Sequence, residues 1–199
     1  PEVVRYFLKR VMANLSKPTS INSIFNDLKS QGLKVGKDKL YELAEHCCSI
    51  FLFFRVPKYD RSMIKENSSL PKYYCIDNGI RNAVLLPQSD DDGKLLENTV
   101  FLALRRVLKP CDKILYFQGT KECDFVVQQN DQIVHLIQVT WDMRDKETRK
   151  REIDGIVEAS RVTGCDSLII LTNNEEGEIT EEGKTIKILP VWKWLLFQE

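Results

Sequence analysis

The sequence predicts a mixed fold, α/β in its elements and α+β overall, made of a winged helix over residues 1–84 and an αβββαβ domain over 85–199. Three observations carry this. Residues 122–140, ECDFVVQQNDQIVHLIQVT, hold two runs in which Val, Ile and Phe alternate with polar residues around a polar turn, Gln128-Gln129-Asn130-Asp131. That period of two is the mark of paired strands. Residues 2–48 hold three stretches of helical periodicity followed by two short strand-like runs, the order of a winged helix. Between residues 84 and 93 the composition turns polar and acidic, as at a domain seam.

Val3, Val4, Phe7, Leu8, Val11, Met12 and Leu15 recur at helical spacing, which predicts an amphipathic helix over 2–15. Pro18-Thr19-Ser20 breaks it and supplies an N-cap for a second helix over 20–30, which Gly32 ends. A third helix runs over 37–48 with Leu40, Leu43, Ala44 and Cys47 inward. Residues 50–56 read as a strand, 57–70 as a polar loop, 72–76 as the returning strand and 77–84 as a short helical connector. Beyond the seam, 94–109 is a helix and 114–117 a short strand. The hairpin follows, then a charged helix over 145–161 and a continuous apolar strand over 167–171. Residues 173–183 read as an acidic turn, 185–189 as a last strand and 190–197 as a terminal helix, giving αβββαββα.

Composition narrows the function classes. No apolar run approaches a membrane span and no signal peptide precedes the first helix, so the expected location is the cytoplasm, away from any membrane. The opening Pro1-Glu2-Val3-Val4, without Met, reads as a piece of a longer protein. Six cysteines without a C-x-x-C, and two histidines, argue for reduced thiols and against a zinc site. The neutral total hides an asymmetry: residues 1–84 carry 14 Lys and Arg against 8 Asp and Glu, net +6, while 85–199 carry 15 against 21, net −6. A basic front half allows contact with DNA; docking of one half on the other, or plain solvation, accounts for the charges equally. The DNA reading places Lys34, Lys37, Lys39 and Tyr41 near phosphates, with Lys58, Arg61 and Lys65 on the wing. Asp38, Glu42 and Glu45 on the third helix oppose it, and that helix has no Arg to bind guanine bidentately.

Side chains two apart on a strand share a face, so Glu122, Asp124 and Val126 align, as do Val134, Leu136, Gln138 and Thr140. A hairpin would bring Asp124 near Gln138 and Thr140. Glu97 lies on the apolar stripe of Val100, Phe101, Leu104 and Leu108, where a carboxylate is expensive unless something binds it. Either it sits at the edge or in a buried hydrogen bond, or it faces Asp124 across a cleft.

An acid on one strand and a polar-x-polar pair on the next resembles the hairpin of PD-(D/E)xK nucleases, and αβββαβ is the core order of that restriction-endonuclease-like fold. The two halves together resemble the C-terminal region of a family of prokaryotic AAA-type ATPases, in which a winged helix and a nuclease-like domain follow a P-loop module. The resemblance rests on Tyr73-Tyr74-Cys75-Ile76-Asp77-Asn78-Gly79, Leu96-Glu97-Asn98, Glu122-Cys123-Asp124-Phe125, Gln138-Val139-Thr140, and Thr148 with Arg151-Glu152. The ATPase module itself is absent, since Gly183-Lys184-Thr185 lacks the upstream glycine loop. It would be a partner within the full-length protein.

The resemblance implies catalytic positions at Glu97, Asp124, Gln138 and Thr140, with Glu97 and Asp124 as weak ligands of Mg²⁺. Gln138 stands where the family has a second strand acid and Thr140 where it has Lys, so two charges are lost. Lys146, Arg149, Lys150 or Arg151 could reach in as a substitute cation. The implied function is a non-catalytic module that binds nucleic acid or protein. The alternative is an active Mg²⁺-dependent nuclease.

Overall fold

The structure, a computed structural model, describes residues 1–86 and 91–196. Residues 87–90, in the middle of the expected seam, lie outside the described residues, as does Phe197, the expected end of the last helix. The fold is α+β, with helices and two sheets.

Helices α1 (Glu2–Ala13), α2 (Ile21–Ser30) and α3 (Lys37–Ser49) form because each presents one apolar stripe. Phe7, Val11 and Met12 meet Ile21, Ile24 and Leu28 and then Leu40, Ala44 and Cys47 in one core. Ser20 starts α2 as its N-cap, its hydroxyl accepting from the Ser23 amide at 3.3 Å. Strands β1 (Phe53–Val56) and β2 (Lys72–Cys75) then pair antiparallel.

The segment between them departs from the expected polar loop. It contains a short helix, α4 (Met63–Ser68), preceded by a turn in which the Asp60 side chain accepts from the Ser62 amide at 2.9 Å. The base of this excursion is tied to β3 (Lys113–Gln118): the Tyr59 amide donates to the Tyr116 carbonyl at 2.6 Å, and the Tyr116 amide to the Pro57 carbonyl at 3.1 Å. The would-be wing is folded onto an edge strand.

After α5 (Asn78–Val84) and α6 (Asp92–Val107), the chain builds a six-stranded sheet in the order β3-β4-β5-β6-β8-β7. Strands β4 (Glu122–Gln129) and β5 (Gln132–Val139) form the expected hairpin. Its turn is tighter than the sequence suggested: Asn130 and Asp131 alone have positive φ, 48° and 63°, the signature of a two-residue type I′ turn. Helix α7 (Lys146–Thr163) crosses over to β6 (Leu168–Thr172), which runs parallel to β5.

Residues 173–183 are not simply a turn. Gly177–Glu181 form β7, an edge strand antiparallel to β8 (Lys184–Pro190), so the order is αβββαβββα once α8 (Val191–Leu196) is counted. Its sequence GEITE lies exposed on an edge and has no apolar alternation to read.

The two-stranded sheet serves two cores. Phe53, Tyr73 and Cys75 face the helices α1–α3, while Phe54, Val56 and Tyr74 face α6 and the large sheet. Tyr74 stacks on Phe101 with ring centroids 4.4 Å apart and touches Phe125 at 5.5 Å. The other face of the large sheet packs on α7 through Leu115, Val126, Leu136 and Ile156. No described helix is long and apolar enough to cross a membrane, and all six cysteines are unpaired thiols.

Candidate functional site

The site is assembled by three backbone arrangements. Buried Asn98 accepts from the Cys75 amide at 2.8 Å and donates to the Cys75 carbonyl at 3.0 Å, which pins the start of α6 to the end of β2. Glu97, one residue earlier, is thereby held over the edge of the hairpin. The register Phe125 to Ile137 places Asp124 opposite Gln138, and the Val139 amide donates to the Asp124 carboxylate at 2.9 Å. On α7, Gly155 lets the helix backbone lie directly over β4, since a Cβ there would sit 2.1 Å from the Glu122 carbonyl oxygen. That approach carries Glu152, one turn earlier, to Gln138.

Glu97, Asp124, Gln138 and Thr140 are all buried and line one cleft of about 930 Å³. Behind its lining carboxylates is a buried residue from the other half of the chain. Lys72, at the start of β2, is 0% exposed, and its ammonium lies 2.5 Å from Glu122, 3.1 Å from Asp124 and 3.4 Å from Glu97. The Tyr116 ring closes over it at 5.3 Å. The Tyr74 hydroxyl, from the same strand, donates to Glu97 at 2.6 Å.

The electrostatics follow from three carboxylates sharing one cation in a dry place. Burial works against the Lys72 ammonium, but the combined pull of Glu97, Asp124 and Glu122 outweighs it and holds the lysine well above its ordinary range. Burial first, and the nearby Asp124 charge second, push Glu97 up to about 8, against the pull of Lys72 and the Tyr74 and Ser16 hydrogen bonds. Burial likewise raises Glu122. The two directions agree: the lysine keeps its proton, and Glu97, one of the two acids in excess of the cation, takes up another near neutrality.

Gln138 and Thr140 turn away from this cluster. The Gln138 carbonyl oxygen accepts from the Asp124 amide at 3.1 Å, and its amide nitrogen donates to Glu152. Burial raises Glu152, and the Arg151 guanidinium, 2.5 Å away, opposes that rise. The Thr140 hydroxyl donates to the Asp142 carbonyl at 3.1 Å. These residues do not fit a Mg²⁺ site. The Gln138 oxygen is spent on a backbone amide, an ammonium stands among the acids, and no group of three His, Cys, Asp or Glu among the described residues is arranged to hold a metal. Of the α7 cations expected near the site, only Arg151 lines the cleft.

The rim carries both charges and one aromatic: exposed Asp92 lies on it, Arg144 pairs with Asp142 and Arg151 with Glu152. Lys17, Lys121, Arg144 and Arg151 are exposed around the opening, with Trp141 39% exposed beside them. Lys34, Lys37, Lys39 and Arg61 are not part of this cleft. Lys34, Lys37 and Lys39 are exposed near α3 alongside Asp38, Glu42 and Glu45. Arg61 donates to the Val162 carbonyl at 2.8 Å, at the far end of α7.

Sequence reasoning missed Lys72, Tyr74 and the approach of Glu152. One signal was present: Lys72 and Tyr74 are two apart on a strand, so a core-facing Tyr74 commits Lys72 to the same side.

No family model matches the sequence. The chain is 32% identical over 198 residues to the uncharacterized protein MJ1544 of Methanocaldococcus jannaschii, a match that covers 95% of this chain and 43% of that protein. It is 24% identical over 193 residues to an uncharacterized protein of Haemophilus influenzae, covering 96% of this chain and 44% of the other. The chain thus spans less than half the length of these curated relatives. Among solved structures, a chain of the Thermococcus gammatolerans assembly of McrB AAA+ hexamers with bound McrC aligns over 92% of this chain and 46% of its own, at 16% identity and a TM-score of 0.37.

Proposed function

We propose that the chain is a non-catalytic binding module, the C-terminal part of an AAA-type ATPase, with a winged helix over 1–84 and a degenerate nuclease-like domain over 85–199 that binds nucleic acid along its cleft. The observation that carries this reading is the state of the cleft floor. Lys72 is ion-paired with the carboxylates, and Gln138 and Thr140 supply neither the acid nor the cation that phosphodiester hydrolysis uses in this fold. The rim supports a nucleic acid over a protein. Lys17 and Lys121 have no ion pair among the described residues, and Trp141 offers a face for a base to stack on. The ATPase connection rests on the sequence motifs alone.

The test is binding and cleavage measured together on single-stranded, duplex and branched DNA with Mg²⁺ or Mn²⁺. The reading requires binding without cleavage. Affinity falls by about 0.7–0.9 log units per log unit of salt for each phosphate contacted. It weakens in Lys17→Ala/Lys121→Ala and holds in Lys34→Ala/Lys37→Ala/Lys39→Ala. The active-nuclease reading has one observation in its favour: Glu152 returns a carboxylate to the neighbourhood of Gln138. Metal-dependent cleavage abolished by Asp124→Ala would establish it instead. Absence of binding to every DNA form would leave the cleft to a protein ligand.

A further inference from the structure

We propose that a second groove, at the opposite end of α6 from Glu97, is a docking site for an acidic protein segment that carries an aromatic or aliphatic side chain among its carboxylates.

This groove has a volume of about 660 Å³ and shares no lining residue with the cleft. It lies between the turn that joins α3 to β1 and the last turn of α6. The α3 helix ends in a Schellman turn: the Phe51 amide donates to the Cys48 carbonyl at 3.0 Å and the Leu52 amide to the Cys47 carbonyl at 2.9 Å. That turn requires a left-handed residue after its cap, ordinarily Gly, and Phe51 occupies the place with a φ of 61°. The other described non-glycine residues at positive φ, Ser16, Asn130, Asp131 and Glu182, are all polar. A bulky side chain is disfavoured there, and burial does not offset the strain. Phe51 is 58% exposed, its ring tilted against Phe54 at a centroid distance of 6.3 Å. A strained backbone that presents an exposed ring points to a use for that ring outside the fold.

Charge is the second, independent feature. The Arg105 guanidinium lies 4.1 Å from the centre of the Phe54 ring and 5.9 Å from that of Phe51, which orients it while leaving its N–H donors without a partner among the described residues. Arg106 and Lys109 are exposed beside it and have no ion pair among the described residues, whereas Arg55 is held by Glu45. The one carboxylate among the lining residues, Asp112, accepts from the Lys109 amide at 3.0 Å. The dipole of α6 accounts for cations at its C-terminal end, but not for an exposed ring in a glycine position. Between ring and cations the lining is apolar, with Ile76, Leu102, Leu108 and Ile114. Nucleic-acid interfaces are more polar than this, and aromatic residues with Arg are what protein interfaces concentrate. Three unpaired cations beside an apolar floor complement carboxylates that flank an apolar side chain.

The probe is a random copolymer of glutamate and tyrosine, passed over the immobilised chain in surface plasmon resonance, with polyglutamate and oligothymidylate for comparison. The copolymer binds more tightly than polyglutamate, and oligothymidylate does not compete. Phe51→Gly, which relieves the turn, melts no lower than the unmodified chain yet binds the copolymer about tenfold more weakly. Arg106→Glu/Lys109→Glu, at two exposed positions, weakens it about as much, and decides the matter should Phe51→Gly melt lower. Lys17→Ala/Lys121→Ala at the cleft rim leaves it unchanged, so this site and the cleft are judged separately. Copolymer binding that is absent, that is no tighter than polyglutamate binding or that survives the charge reversal overturns the proposal. So does oligothymidylate binding lost in the groove variants, which would make the groove a nucleic-acid site, or self-association lost in them, which would make its occupant a second copy of the chain.

Discussion

Removing the Lys72 charge should expose how much of the fold's stability depends on it. In Lys72→Met the stem volume is kept, so the perturbation is the ammonium and not a cavity. At an effective dielectric near 20, a unit charge about 3–4 Å from an opposite one gains about 4–5 kcal/mol. The lysine has three such neighbours, offset by the cost of burying it. Deleting one partner of a buried pair costs about 3–5 kcal/mol because the other charges stay buried. We expect a loss in that range near pH 8, read by urea denaturation with tryptophan fluorescence and circular dichroism. Trp194 is a suitable reporter, being packed against the core that holds Tyr74. The pH dependence sharpens the test. Glu97 and Glu122 are already raised, and losing Lys72 removes a cation that holds both down. Acidification protonates them and relieves the repulsion, so the cost of the substitution shrinks as pH falls. A loss below about 1 kcal/mol at pH 8, or one that grows toward acid, would refute the reasoning.

Three further outcomes follow from the same geometry. Glu97 has a folded-state pKa, about 8, above its unfolded value of 4.5, so its contribution to stability is complete below the unfolded value and is lost as pH rises through about 8. Denaturation midpoints of the unmodified chain should therefore decline across that window, and Glu97→Gln should flatten the decline. Gln138→Glu replaces the donor to Glu152 with a like charge and should cost about 2–4 kcal/mol, largely recovered in Gln138→Glu/Glu152→Gln; additive costs in that double-mutant cycle would mean that the two side chains do not meet. Gly155→Ala drives a methyl into the Glu122 carbonyl, so its melting temperature should fall by an amount equivalent to more than about 2 kcal/mol, whereas Gly93→Ala, which meets nothing within 4 Å, should change little.

What the sequence revealed depended on whether periodicity or long-range geometry was responsible. The hairpin was legible because two β-rich runs around Val126 and Leu136 flank a polar turn, and the strand period of two put Asp124 with Val126 and Gln138 with Leu136, residues that pair across the hairpin. Glu97 was conspicuous as a carboxylate on an apolar stripe, and its closeness to Asp124 through Lys72 follows from how α6 is pinned to β2 by Asn98. Lys72 was not legible as part of the site. It sits 25 residues from Glu97 and 52 from Asp124, in a strand assigned to the other half of the chain. Strand β7 was missed because an exposed edge needs no apolar pattern, and α4 because a six-residue helix without a side-chain cap is held by the Asp60–Ser62 turn before it and by docking of the preceding segment on β3.

The Glu97 carboxyl is the group on which the account bears most directly, and its titration can be followed by carbon-detected nuclear magnetic resonance in the unmodified chain. Inversion of the buried cluster's charge logic, with Lys72 as its cation and Glu97 as the acid that yields, predicts a midpoint near 8 that moves higher still in Lys72→Met. A Glu97 midpoint at the ordinary value of 4.5, unmoved by loss of Lys72, would contradict it.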